Sequence, residues 1–166
     1  MLFRSSVRVG NQPAIRVPPL APGAPGKSNS IVDSGTNSLV FSQGIYDRVI
    51  AAFAQLNQEF ADALQQFAIT AGRGAKQDQI DLARWPQLTF TLQGAAGASV
   101  ELAVAPANYW QFDAFQAGLA VANMYGDEGA LGGQSILGLP LMNGYYTVFD
   151  RTAANGHGVI GFATRS

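Results

Sequence analysis

Ser30-Ile31-Val32-Asp33-Ser34-Gly35-Thr36-Asn37 is the stretch that decides the fold. Ile31 and Val32 favour a pleated, buried strand. That strand runs directly into a carboxylate. Gly35, two residues further on, lets the backbone turn sharply and lets another segment come close. Asp33 is therefore delivered at the end of a buried strand, on a tight loop carrying the hydroxyls of Ser34 and Thr36. A carboxylate so placed is a catalytic or metal-binding group, or else a turn cap bonded to its own backbone. These eight residues leave both readings open.

Three later segments weigh on the choice. They are Ser135-Ile136-Leu137-Gly138, then Tyr145-Tyr146-Thr147-Val148-Phe149-Asp150-Arg151, then Val159-Ile160-Gly161-Phe162-Ala163. Together with the apolar pair before Asp33-Ser34-Gly35-Thr36, they resemble the carboxyl-terminal lobe of a pepsin-like aspartic protease, in that family's order. Asp-Ser-Gly alone is a weak signal, whereas the four segments together are specific. The resemblance spans nearly the whole chain and is weakest over Phe60–Arg84 and Ala114–Gly133. It implies a mostly β fold: a pepsin-like lobe of antiparallel, barrel-like sheets with one or two peripheral helices.

The same resemblance implies a chemistry. Asp33 would be one member of a carboxylate pair that shares a proton and activates a water against a peptide bond. Thr36 matches the residue whose hydroxyl bonds the outer carboxylate oxygen. Ser34 matches the hydroxyl that locks two such loops together at the lobe interface. Gly35 and Asn37 fall where relatives touch the substrate backbone. The second aspartate comes, in the family, from an amino-terminal lobe with its own Asp-Thr/Ser-Gly motif and a tyrosine-bearing flap. No second such motif is present. Asp150 belongs to the strand that is structural in relatives. Asp47, Asp62, Asp78, Asp81, Asp113 and Asp127 lack the apolar lead-in and the following glycine. Leu139, after Ile136-Leu137-Gly138, stands where many relatives carry aspartate.

Composition narrows the alternatives. At 166 residues, 48% apolar and 13% charged, the chain is one globular domain with material for a real core. Net charge is −1, and no lysine or arginine falls between Arg84 and Arg151, which argues against nucleic acid. With no cysteine there is no disulfide framework and no thiol chemistry, and a reducing compartment is permitted. No apolar run reaches the ~20 residues that span a bilayer, and no signal peptide opens the chain. The adjacent Asp127 and Glu128 read as a solvated turn, so no metal or other cofactor is expected. His157, the single histidine, sits between two glycines and reads as an exposed turn residue.

Along the chain, Ser6–Val9 and Ala14–Val17 read as a strand pair, followed by a loop marked by Pro18, Pro19, Pro22 and Pro25. Leu39–Phe41 is a short strand, and Ser42 a helix N-cap. Ile45, Val49, Phe53, Leu56, Phe60, Leu64 and Phe67 follow at helical steps, as one helix or two broken near Asn57, ended by Gly72 and Gly74. Ala75–Arg84 reads as loop. Trp85–Leu92 and Ser99–Val104 form a hairpin. Trp110 and Phe112 read as structural aromatics or as pocket lining. Leu119–Met124 is a strand, Gly126–Gly133 an acidic loop, Pro140–Met142 a helical turn, and Tyr145–Asp150 with Val159–Ala163 a closing hairpin.

Three functions follow. The chain is the carboxyl-terminal half of a two-lobed aspartic endopeptidase, inactive without an amino-terminal lobe. Alternatively it is a half-sized protease whose dimer supplies one Asp33 per subunit. The third is a catalytically silent β domain binding peptides or a partner. The first is preferred, with a peptide or protein as substrate.

Overall fold

The structure, a computed structural model, describes residues 4–20, 28–94, 97–154 and 158–165. The histidine turn around His157, and Pro22 and Pro25, lie outside the described residues.

Two four-stranded sheets carry the lobe. In the first, β1 (Arg4–Val9) pairs antiparallel with β2 (Ile15–Arg16) on one side and with β6 (Leu88–Gln93) on the other. β7 (Ser99–Val104) closes the order β2-β1-β6-β7. Alternation works as expected here: Val7 and Val9 are fully buried, and Leu88 and Phe90 meet them from β6. The strand expected from Trp85 starts only at Leu88. Pro86 offers no N–H, and its carbonyl accepts from Tyr109 Oη at 2.6 Å.

The second sheet has the order β10-β4-β11-β3, from β3 (Ser30–Val32), β4 (Leu39–Ser42), β10 (Met124–Asp127) and β11 (Ser135–Leu137). It is mixed. β11 is antiparallel to β4, but β3–β11 and β4–β10 run parallel. The lobe is mostly β and mainly antiparallel, as expected, with these two parallel pairings at the sheet that holds Asp33.

Two helices pack onto these sheets. α1 (Gln43–Leu56) buries Ile45, Val49, Ile50 and Phe53, and α2 (Gln58–Gln66) buries Ala61 and Leu64. The break falls at Asn57, whose side chain caps α2 by accepting from Glu59 N at 3.0 Å. Ser42 occupies the N-cap of α1 without a side-chain cap bond, and its backbone N–H donates to Ser135 Oγ at 3.1 Å. The second helix stops at Gln66, short of the expected glycines, because the Phe67 carbonyl accepts from Ala122 N at 2.8 Å. Gly72 ends the short 3-10 turn that follows, at φ 66°.

The short helix α3 (Pro106–Tyr109) runs into β8 (Trp110–Phe112), which with β9 (Leu119–Ala122) and β5 (Ala75–Lys76) makes a smaller sheet of order β5-β9-β8. β5 and two 3-10 turns occupy the stretch read as loop. The strand expected over Leu119–Met124 is split at Asn123. There the chain changes sheets: Asn123 N donates to Tyr109 O and its carbonyl accepts from Leu39 N. The acidic loop begins after β10, at Glu128 rather than at Gly126. Trp110 is 2% exposed and packs edge-on to Trp85 at 4.9 Å, so it belongs to the core.

The last hairpin, β12 (Tyr145–Asp150) with β13 (Val159–Thr164), forms a separate two-stranded sheet. Tyr146, Val148, Phe149 and Val159 on it are all exposed. It is tied back through Tyr145 Oη, which accepts from Ala103 N at 2.6 Å and donates to Ala103 O at 3.2 Å.

Candidate active site

β3 ends at Val32, and the Asp33 N–H continues the strand by donating to Leu137 O at 3.2 Å. The chain then turns. Thr36 Oγ1 donates to Asp33 Oδ2 at 2.6 Å, and Gly35 N donates to Asp33 Oδ1 at 2.9 Å. Both carboxylate oxygens are thus engaged from one side by the loop itself. These bonds favour the charged form, so Thr36 first and Gly35 second hold Asp33 below the ordinary carboxylate range, against a smaller upward push from burial. Ser34, Gly35 and Asn37 are exposed, while Asp33 and Thr36 are half-buried. Asn37 Oδ1 accepts from Ser38 Oγ at 3.1 Å.

The loop is braced from behind by Gly138. Leu139 N donates to Thr36 O at 2.8 Å, drawing the two segments into backbone contact. A side chain at position 138 would meet the carbonyl oxygens of Thr36 and Ser38. α4 (Leu139–Met142) starts immediately after and buries Pro140 and Leu141. Leu139 is half-buried beside this contact.

Asp33 and Ser34 open onto a cleft of about 1070 Å³. Ser30–Val32, the tip of the β6–β7 hairpin (Leu92, Gly94, Val100) and the β12–β13 hairpin (Phe149, Asp150, Ile160, Phe162) form its walls. Gly35, Thr36 and Asn37 lie on the loop beyond its lining. Asp150 faces the same cleft, but its Oδ1 is spent on Thr152 N, Thr152 Oγ1 and Ala153 N, so it caps the turn after β12. Neither Trp110 nor Phe112 lines the cleft. No group of three or more potential metal ligands occurs among the described residues. Sequence reading missed the Tyr145–Ala103 tie, a side chain meeting backbone 42 residues away, for which no local signal exists.

A carboxylate oriented by a neighbouring hydroxyl and amide, at the end of a strand in a mixed sheet and backed by an apolar-apolar-glycine segment, defines the class: a pepsin-like aspartic protease lobe, the carboxyl-terminal one. The model of the xylanase inhibitor C-terminal family matches residues 4–163, and the chain belongs to that family. No curated protein matches it.

Removing the Thr36 hydroxyl tests the electrostatics. Thr36→Val deletes the largest cause of the depressed Asp33 pKa, so that pKa is expected to rise toward the ordinary ~3.9 of aspartate. The titration of the carboxyl carbon, followed by NMR, reads the shift. The stabilisation these bonds give is present above the unfolded value and is lost as pH falls through the folded one. The acid limb of unfolding should therefore be shallower in the variant.

Proposed function

We propose that this chain is the carboxyl-terminal half of an aspartic endopeptidase, residues 1–166 forming one lobe, and that it supplies Asp33 to a dyad completed by an amino-terminal lobe. The observation that carries this reading is the paired grip of Thr36 Oγ1 and Gly35 N on the Asp33 carboxylate at the mouth of an open cleft. The turn cap Asp150 gathers its hydroxyl and amide bonds on one oxygen, whereas at Asp33 the amide and the hydroxyl take one oxygen each, which fixes the plane of the carboxylate.

In the paired state two facing carboxylates hold one proton between them. The ionised member takes a proton from the attacking water, and the protonated one hydrogen-bonds the substrate carbonyl. The resulting gem-diol collapses as a proton passes to the leaving nitrogen. The exposed Ser34 hydroxyl is available to bond the facing loop, and Gly35 and Asn37 to meet the peptide backbone. The apolar side chains exposed on β12–β13, which lie beside Asp33, suit burial against that lobe.

Binding of a statine-type analogue, whose hydroxyl mimics the gem-diol, tests the reading. Calorimetry should show no binding by the lone chain and binding once an amino-terminal lobe is added. Binding unaffected by Asp33→Asn would overturn it.

The family match favours a second reading, in which the lobe belongs to a protein that blocks a xylanase and does not cut peptides. Xylanase activity measured with and without the chain separates the two.

A further inference from the structure

Asn143 and Gly144 join α4 to β12. Asn143 is exposed, and its side-chain amide makes no hydrogen bond among the described residues. The Gly144 N–H has no acceptor there either. Other asparagines differ. Asn57 Oδ1 accepts from Glu59 N and Asn37 Oδ1 from Ser38 Oγ, while Asn29 and Asn123 are buried. None of these four precedes a glycine. Gly144, with no Cβ, leaves its amide nitrogen uncrowded next to an unoccupied side-chain amide.

Turning about the Asn143 Cα–C bond brings Gly144 N onto the side-chain Cγ. The Asn143 N–H, which donates to Leu139 O at 2.8 Å, keeps its place in this turn. The bond that gives way is the one from Arg165 Nη1 to Asn143 O, 2.9 Å long and exposed, which water replaces. Gly144 absorbs the change of direction before Tyr145. The position matters because two ties hold the base of the β12–β13 hairpin: the Arg165 bond to Asn143, and Tyr145 Oη on the backbone of Ala103. That hairpin is one wall of the cleft onto which Asp33 opens.

We propose that Asn143 is a site of spontaneous covalent modification, converting through a succinimide to isoaspartate and aspartate, and that the isoaspartate loosens the hairpin wall of the cleft. Gly144 N gives up its proton and bonds to Asn143 Cγ. The Cγ–Nδ2 bond breaks, and the nitrogen leaves with that proton as ammonia. One water then opens the ring. Breaking the new Cγ–N bond gives aspartate. Breaking the original C–N bond gives isoaspartate, whose main chain runs through Cβ and gains one carbon. Water is the only co-reactant, and nothing is oxidised or reduced. Either product adds a negative charge, but only the longer main chain carries Tyr145 out of step with Ala103. The conversion uses neither Asp33 nor a second lobe, so it stands apart from the proposed dyad.

The test ages the intact chain in mildly alkaline buffer and maps it by mass spectrometry, residue by residue. Asn143 should gain the mass of an amide-to-acid exchange and become a substrate for an isoaspartate-specific methyltransferase, while Asn37 and Asn57 stay amides. The chain's other Asn-Gly pair, Asn155-Gly156, lies outside the described residues, and the map scores it separately. Gly144→Ala should slow the conversion at least about tenfold, because the methyl crowds the attacking nitrogen. The fold has room for it: the methyl comes nearest, at 3.3 Å, to the end of the Asn108 side chain. Hydrogen exchange on the parent chain reads the consequence without any variant. The Ala103 amide should exchange faster as isoaspartate accumulates. Asn143→Asp, which adds the charge but no carbon, should leave that amide as slow as in the fresh parent. Asn143 remaining an amide, conversion as fast in Gly144→Ala as in the parent, or an Ala103 amide equally protected in fresh and aged chain would each overturn the inference.

Discussion

Asp33→Asn, in the lobe paired with its amino-terminal counterpart, is expected to lower peptide hydrolysis by about 100- to 10,000-fold, the range lost with a general acid–base group. The fold should survive. An asparagine Oδ1 still accepts from Gly35 N, and the Thr36 hydroxyl can turn to accept from the new amide in place of donating to Asp33 Oδ2. What disappears is the negative charge that, in the proposed dyad, takes the proton from water. Unchanged circular dichroism with lost turnover would separate chemistry from stability. A variant with near-parental turnover would remove Asp33 from the reaction.

Gly138→Ala should have the largest effect among changes that touch no reacting atom. The added methyl points at the carbonyl oxygens of Thr36 and Ser38, which are backbone atoms and cannot rotate away. Either the Asp33 loop moves or α4 does. Overpacking of this kind costs about 1–3 kcal/mol, which a denaturant melt resolves. The same shift breaks the bond from Leu139 N to Thr36 O and, through Thr36, changes the hydroxyl's reach to Asp33. Lost stability should therefore come with a raised Asp33 pKa. A substitution that only weakened the core would lower the melting point and leave that pKa unmoved.

These two residues show what the sequence discloses and what it hides. Asp33 was legible because β-formers, an acid and a glycine stand consecutively, and each dictates local geometry. The break at Asn57 was legible for the same reason: an N-cap residue interrupts a helical stripe. The closing hairpin was legible from its two apolar runs, and it forms with full antiparallel pairing from Tyr145–Thr164 to Asp150–Val159. Asn123 was not legible. Leu119 to Met124 is continuously strand-like, and only the distant backbones of Tyr109 and Leu39 pull Asn123 between two sheets. The parallel pairings of β3 with β11 and β4 with β10 were hidden as well, since β propensity carries no strand direction. Ser42 shows how tertiary context overrides a local rule: a good capping residue sits at the N-cap, yet its side chain caps nothing. Of the candidate site, the Thr36 hydroxyl lies on an Asp33 oxygen, the contact the resemblance implies, whereas the bond from Gly35 N to the other oxygen had no part in that expectation. The cleft wall built by β7 and β12–β13 depends on contacts far apart in the chain and had no local signal.

The account rests on an aspartate that works only when a second one faces it. The most direct measurement is hydrolysis of a peptide substrate at acid pH by the chain alone, by an amino-terminal lobe alone, and by the two together. The account predicts turnover only in the mixture, abolished there by Asp33→Asn. Steady hydrolysis by the lone, monomeric chain, or a mixture that works equally well without the Asp33 carboxylate, would contradict it.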